Sequence, residues 1–201
     1  MKTKITIKLT EKILLLISLL SVIGMLLVIP GSSAIAYFFL YLLAMFYAFL
    51  TLPLFLGVEY DSLLKKDSYV EMTNTTAVVV LLTGWTLTVI ILGIVFKMIH
   101  LHAGGVIWAG IVLSAGVFYL ASKNKLKRKL KKEIYKKVVR YLFIASLVGF
   151  IVAITPKKTL IKIYSHNDPQ VMRLYEKMKK DKSNPQVEAQ FYEALRNAAK
   201  K

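Results

Sequence analysis

Three ionisable side chains, Lys97, His100 and His102, lie between two long apolar runs in the stretch GIVFKMIHLHAGG, residues 93–105. Histidine transfers protons near neutral pH and is a common metal ligand, and an ionisable group at membrane depth usually marks a functional site. These residue types therefore suggest one of three things: a proton or ion site in a membrane, a metal site, or a polar turn between two helices.

Neither a metal site nor a catalytic site is predicted from the motifs. The chain has three histidines, His100, His102 and His166, and no cysteine. Zinc usually takes three or four protein ligands, so His100 and His102 supply too few unless His166 joins them. The apolar runs contain no G-x-S-x-G, H-E-x-x-H or phosphate-loop motif. We therefore expect a protein that is not an enzyme and has no catalytic residue, metal or other cofactor.

The elements around these residues have the composition of an integral membrane protein. Hydrophobic residues make up 56% of the 201 residues, whereas a soluble domain is usually about 45–50% apolar. Apart from Lys97, charge collects at residues 1–12, 59–71, 123–140 and 157–201, and apolar runs fill the gaps. A soluble protein would instead mix polar and apolar residues at the period of a helix or strand.

Five apolar runs are long enough to cross a hydrocarbon core of about 30 Å as helices. They cover residues 13–29, 34–57, 76–96, 103–121 and 138–155. None contains an acidic residue, and Arg140 lies near the start of the fifth run, where it can snorkel to the interface. The predicted fold is an all-α membrane protein of about five transmembrane helices, arranged as two helical hairpins and a fifth span, with a small helical C-terminal tail.

The first apolar run has an alternative interpretation as a cleaved signal peptide. A basic start and an apolar stretch precede SSAIA, which resembles a cleavage site. The mature chain would then begin at Tyr37, inside another apolar run. We therefore expect the first helix to be retained.

The orientation follows from the lysines and arginines in short segments, which favour the cytoplasmic side. The N-terminal segment carries four and residues 123–137 carry nine, whereas the turns at 30–33 and 97–102 carry none and one. We therefore expect a cytoplasmic N-terminus, and five spans then place the tail in the periplasm.

The predicted organisation has six segments. They are an N-terminal segment with the first transmembrane hairpin (1–57), a cytoplasmic linker (58–75), a second hairpin (76–121), a polybasic cytoplasmic segment (122–137), the fifth transmembrane helix (138–155) and a periplasmic helical tail (156–201). In the tail, Asp168-Pro169 and Asn184-Pro185 are predicted helix starts. Residues 159–164 are expected to extend the fifth helix or to form a short strand.

The polybasic segment carries nine of the 28 lysines and arginines behind the net charge of +17. It is predicted to be a helix that either fixes the topology or contacts the anionic inner leaflet, and the two roles are compatible. No aromatic platform accompanies the charge, so no nucleic acid partner is expected. The expected contacts with anionic lipid are Lys123, Lys125, Lys127, Arg128, Lys129, Lys131, Lys132, Lys136 and Lys137.

Small residues in the third and fourth runs predict close helix contacts, because helices in lipid associate through such positions. The expected packing residues are Gly84, Gly93, Gly104, Gly105, Ala109 and Gly110. They would serve either an ordinary hairpin within the chain or the self-assembly of several chains.

The turn FKMIHLHAGG resembles the transmembrane hairpin of the GldL family. That family supplies the membrane ring of the gliding and type IX secretion motor of Bacteroidota, and uncharacterised Bacteroidota membrane proteins carry similar F-K-x-x-H turns. The resemblance covers about residues 76–121, with Lys97 and His100 at the positions of the family's turn lysine and histidine. It implies an inner-membrane location and an outward-facing turn.

The resemblance does not extend to the motor chemistry. The family's motor relies on a glutamate in the second hairpin helix, whereas the matching region here, Leu113-Ser114-Ala115-Gly116, is apolar and small. A proton path through lipid requires an ionisable group at depth. The hairpin is therefore expected to carry over without the motor activity.

The predicted function is that of a non-catalytic multi-pass protein of the bacterial inner membrane. We expect an assembly or accessory subunit of a membrane complex, whose partners are anionic lipid and either another protein or further copies of this chain. Lys97, His100 and His102 would form a structural turn open to docking. The alternative is a small transporter or ion-channel component, and a third interpretation is lipid sensing through residues 123–137.

Overall fold

A computed structural model describes residues 6–27, 29, 32–69, 73–99, 104–123, 132–165, 168–181 and 184–198. The regular elements of these residues are all helical. The α-helices are α1 (Ile7–Leu26), α2 (Ser32–Leu56), α3 (Asn74–Met98), α4 (Gly104–Ser122), α5 (Lys132–Ile154), α6 (Lys157–Tyr164), α7 (Pro169–Lys180) and α8 (Pro185–Ala198). Two short 3₁₀ turns, Tyr60–Ser62 and Lys66–Tyr69, lie between α2 and α3.

Four helices, α2, α3, α4 and α5, are long and apolar enough to cross a membrane. The predicted all-α membrane fold is therefore confirmed with four candidate spans, and the fifth crossing stays a prediction. The long helix α1 is not in this group. It has 20 residues and carries Lys8, Glu11 and Lys12 in its first two turns.

The chain divides into two compact units, residues 1–18 with 38–154 and residues 19–37 with 155–201. The first is the membrane bundle. Its central helix is α3. In the most apolar 18-residue stretch of α3, 56% is buried, against 17% in that of α5. The buried core of the bundle consists of Ile7, Leu43, Ala44, Phe46, Tyr47, Leu54, Phe55, Val79, Val80, Leu87, Ile91, Val117, Ala121, Ile134, Val138 and Leu142.

The second unit contains the tail helices, which share a small apolar core. It consists of Ile161, Val171, Phe191, Leu195 and Ala198. Both predicted helix starts are confirmed, because the Asp168 carboxylate accepts from the amide of Gln170 at 2.8 Å and the Asn184 side chain accepts from the amide of Gln186 at 3.1 Å.

Residues 159–164 belong to the separate helix α6, and so neither continue α5 nor form a strand. The break falls at Pro156, which has no amide hydrogen to donate to the helix before it. The carbonyl of Pro156 instead accepts from Thr159 and Leu160 at the start of α6, at 3.0 and 3.2 Å.

Candidate functional site at the two ends of the bundle

A buried carboxylate joins three helices of the bundle. Glu11 of α1 is only 3% exposed. Its Oε1 accepts a hydrogen bond from the hydroxyl of Tyr47 in α2 at 2.9 Å, and its Oε2 accepts one from the hydroxyl of Tyr141 in α5 at 3.0 Å. Both carboxylate oxygens therefore have a phenol partner, each from a different helix.

The early start of α1 places Glu11 in this position. Because the helix begins at Ile7, Ile7, Glu11 and Ser18 share one face at spacings of four and seven residues. All three are buried, whereas the neighbouring Lys8 and Lys12 are exposed. The turn of the helix thus separates the carboxylate from the cations beside it in sequence.

Aromatic rings hold the two phenols in place. The rings of Tyr47 and Tyr141 meet edge to face with centroids 6.2 Å apart, and Phe55 packs on Tyr141 at 5.2 Å. Beside this cluster, the hydroxyl of Tyr60 donates to Thr10 Oγ1 at 2.9 Å. The carboxylate is consequently held by fixed, neutral hydroxyl donors in apolar surroundings.

This arrangement can hold a proton but offers little to a metal ion. In the described part of the chain, no group of three or more acidic or histidine side chains is placed to hold a metal. None of the described residues forms an ion pair with Glu11. The ion pair observed among them joins Lys158 and Glu176. All three histidines lie outside the described residues.

The sequence did not reveal Glu11 as a site residue. We assigned it to the charged N-terminal segment because the apolar run starts only at residue 13. One signal was present: Glu11 is the single acidic residue among the first 57, and it precedes a continuous apolar helix. Its tyrosine partners are 36 and 130 residues away in sequence, which no local pattern can indicate.

Lys97 lies at the opposite end of the bundle, near the end of α3. Its ammonium donates to the carbonyl oxygens of Val152 and Ala153, at 2.6 and 2.7 Å. In an α-helix the Val152 carbonyl would accept from the amide of residue 156, but that residue is proline. Lys97 therefore supplies the missing donor and also places a positive charge at the C-terminus of α5, which the helix dipole favours.

The predicted turn residues are only partly observed. Lys97 contacts the end of α5. His100 and His102 lie outside the described residues. Lys97 thus joins α3 to α5, and its two partners lie 55 and 56 residues further along the sequence.

The basic residues at the start of α5 divide into two groups. Lys132 and Lys136 are exposed, and Lys123 at the end of α4 lies over the ring of Tyr119 at 5.7 Å. Lys137, which we grouped with the lipid contacts, instead donates to the carbonyl of Phe55 in the last turn of α2 at 3.0 Å. The remaining predicted lipid contacts, Lys125, Lys127, Arg128, Lys129 and Lys131, lie outside the described residues.

Three of the predicted packing glycines lie at close helix contacts. A Cβ on Gly84 would lie 2.6 Å from the carbonyl oxygen of Tyr47 in α2. A Cβ on Gly93 would lie 2.8 Å from Cγ1 of Ile107, and one on Gly110 would lie 2.6 Å from Cγ1 of Ile90. Glycines of α3 and α4 thus each accommodate an isoleucine of the other helix.

Gly105 and Ala109 do not lie at helix contacts within the chain, and their packing between chains stays a prediction. A Cβ on Gly105 would meet no atom within 4 Å, and Ala109 is exposed. Both lie on the opposite side of α4 from the buried positions Ile107 and Gly110. Gly104 is the first residue of α4.

Three threonine hydroxyl groups of α3 bond to backbone carbonyls. Thr83 donates to Val79 and Thr86 to Leu82, each at 2.7 Å within α3. Thr88 reaches the Ala44 carbonyl of α2 at 3.0 Å. A further contact joins two side chains: the hydroxyl of Ser146 in α5 donates to that of Ser114 in α4 at 2.7 Å.

The tail carries an exposed ion pair between Lys158 and Glu176, whose N–O distance is 2.6 Å. The hydrogen bond from Lys158 lowers the pKa of Glu176, and the same contact raises the pKa of Lys158. Exposed pairs of this kind are screened by solvent and contribute little to stability. This pair therefore does not mark a functional site.

Comparison with protein families, with curated proteins and with solved structures found no match to this chain.

Proposed function

We propose that the chain is a non-catalytic, multi-pass protein of the bacterial inner membrane that acts as an assembly or accessory subunit of a membrane complex. One observation carries this proposal: Lys97 and the buried threonines of the central helix α3 bond to the protein itself. Lys97 donates to the end of α5, and Thr83 and Thr86 donate to their own helix. A transport path would instead need polar groups turned toward a common solute.

The tail supports a role in assembly. It has its own apolar core around Phe191, which is fully buried, and belongs to a compact unit separate from the bundle core. Folded tail helices give a partner a surface to bind. We place the protein partner, or a second copy of the chain, at this unit or at the apolar faces of the bundle.

In the proposed topology α1 also crosses the membrane, which brings the number of crossings to five. Its residues Leu16, Leu19 and Leu20 are 56–58% exposed, as expected of a face turned to lipid. The N-terminus and the polybasic segment are then cytoplasmic and the tail is periplasmic. Single cysteines introduced into this cysteine-free chain test the arrangement: an impermeant thiol reagent added outside cells should label residue 190 and not residue 136. Labelling of neither position from outside would remove one crossing.

The resemblance to the GldL family supports the hairpin but not the motor. Lys97 matches the family's turn lysine, and in this chain it binds the end of α5. In the region where the motor subunit carries a glutamate, Ser114 is buried and bonds to Ser146. We therefore propose a structural hairpin related to that family, without proton-driven rotation.

A transporter or ion-channel component is the second candidate, favoured by the buried Glu11. The two functions are separated by proton and alkali-cation flux into liposomes that contain the purified chain. For an accessory subunit we expect no more flux than in protein-free liposomes, and no change in the Glu11→Gln and Lys97→Met variants. A flux that either substitution abolishes would overturn the accessory role.

A further inference from the structure

We propose that Glu11, held by Tyr47 and Tyr141, is a reversible proton-binding site near the basic end of the membrane bundle. This inference goes beyond the proposed function, because proton binding at this carboxyl group requires neither a partner protein nor transport. It is carried by the burial of Glu11 and by the geometry of its two hydrogen bonds.

The hydrogen-bond geometry can serve both protonation states. In the ionised state each carboxylate oxygen accepts one phenol O–H, at 2.9 Å from Tyr47 and 3.0 Å from Tyr141. A phenol oxygen is also an acceptor. A protonated Glu11 therefore donates to one phenol oxygen, whose own hydrogen turns away, while the second phenol still donates to the carboxyl group. The same side-chain positions then satisfy the neutral acid.

Among the residues that the structure describes, no cation contacts the carboxylate. On α1, Lys8 and Lys12 point to the surface, and on α5 Arg140 is exposed. Lys137 of α5 is occupied by the Phe55 carbonyl of α2. From α2 and α5, the titratable groups that touch Glu11 are the two tyrosines. In such surroundings a proton is the ligand that removes the buried charge most directly.

A metal cation fits the site poorly. Calcium takes about six to eight oxygen ligands and magnesium about six, whereas this cluster offers one carboxylate whose two oxygens already accept hydrogen bonds. A metal ion would have to displace both phenols. A proton adds no volume and needs only a change in the direction of one O–H bond.

Polar groups adjoin the site on both sides along α1. Thr10, next to Glu11, accepts from the hydroxyl of Tyr60 at 2.9 Å, and both residues are partly exposed. Deeper in the bundle, on the same face of α1, Ser18 is 4% exposed and its hydroxyl has no hydrogen-bond partner in the described part of the chain. Thr10 and Tyr60 therefore place two partly exposed hydroxyl groups at the residue next to Glu11 in sequence.

The proposal is tested by labelling the intact chain in lipid nanodiscs with dicyclohexylcarbodiimide, an apolar reagent that modifies protonated carboxyl groups. We expect a mass increase on the Glu11 peptide, at a rate that falls as the pH rises. A water-soluble carbodiimide should instead modify the exposed Glu133 and spare Glu11. The Glu11→Gln chain should lose the apolar label and keep the water-soluble one.

A matched variant tests the role of the phenols. Tyr141→Phe keeps the ring that packs on Phe55 and removes the hydroxyl that donates to Oε2. Loss of a hydrogen bond to the charged form should raise the rate at which the apolar reagent labels Glu11.

Failure to label Glu11 at any pH, or labelling at a rate independent of pH, would overturn the proton site. This result is read from the wild-type chain alone, so it does not depend on whether the variants fold. It is also independent of the flux and complex-formation tests of the proposed function, since a single chain in a nanodisc is sufficient.

Discussion

Replacement of Gly84 by alanine is expected to lower the free energy of unfolding of the bundle by about 1–3 kcal/mol, the usual range for overpacking a close contact. The added Cβ would lie 2.6 Å from the backbone oxygen of Tyr47 and 2.7 Å from Thr51 Cβ. Neither atom is the end of a flexible side chain, so α2 and α3 must move apart. Tyr47 also holds Glu11, and the displacement should therefore reach the buried carboxylate.

The matched control for Gly84→Ala is Gly116→Ala. Gly116 lies inside α4, and a Cβ there would meet no atom within 4 Å. Alanine favours a helix over glycine by about 1 kcal/mol, so this variant should be neutral or slightly more stable. Unfolding equilibria in the same bicelles measure both effects. Equal destabilisation by the two substitutions would contradict the close α2–α3 contact.

Replacement of Lys97 by methionine is expected to cost about 2 kcal/mol of bundle stability. Methionine has a similar length but cannot donate, so the carbonyls of Val152 and Ala153 lose the ammonium that contacts them at 2.6 and 2.7 Å. Hydrogen bonds to charged groups contribute about 1.5–3 kcal/mol. The last turn of α5 should also exchange its amide hydrogens faster.

A double-mutant cycle with Pro156→Ala tests why the lysine is needed. Alanine restores an amide at position 156, which can donate to the Val152 carbonyl in place of Lys97. We therefore expect Lys97→Met to cost about 1 kcal/mol less in the Pro156→Ala background. An identical cost in both backgrounds, within about 0.3–0.5 kcal/mol, would show that Lys97 does not compensate for the proline.

Hydropathy predicted most of the helices because a membrane helix must be apolar over nearly its whole length. The same property hid which face of each helix packs. α4 is apolar on all sides, so no amphipathic pattern indicates that Gly110 faces α3 while Ala109 does not. Residue size predicted that glycines would occur at contacts, but only the three-dimensional packing assigns the contacts to Gly84, Gly93 and Gly110.

The contacts at both ends of the bundle could not be predicted because their partners are distant in sequence. Lys97 and Pro156 are each visible in the sequence, but their connection requires that α3 and α5 end side by side. Glu11 was missed because a helix start cannot be read to within one turn from hydropathy. Once α1 begins at Ile7, the carboxylate turns inward and must find donors, which Tyr47 and Tyr141 supply.

The most direct test of the proposed accessory role is the mass of the assemblies that contain this chain, extracted from its native membrane in lipid nanodiscs without detergent. The single chain has a mass of 22.7 kDa. We expect discrete assemblies of higher mass, formed from further copies of the chain or from a partner in fixed ratio. Extraction of the chain only as a 22.7 kDa monomer, at its native abundance, would contradict its function as a subunit.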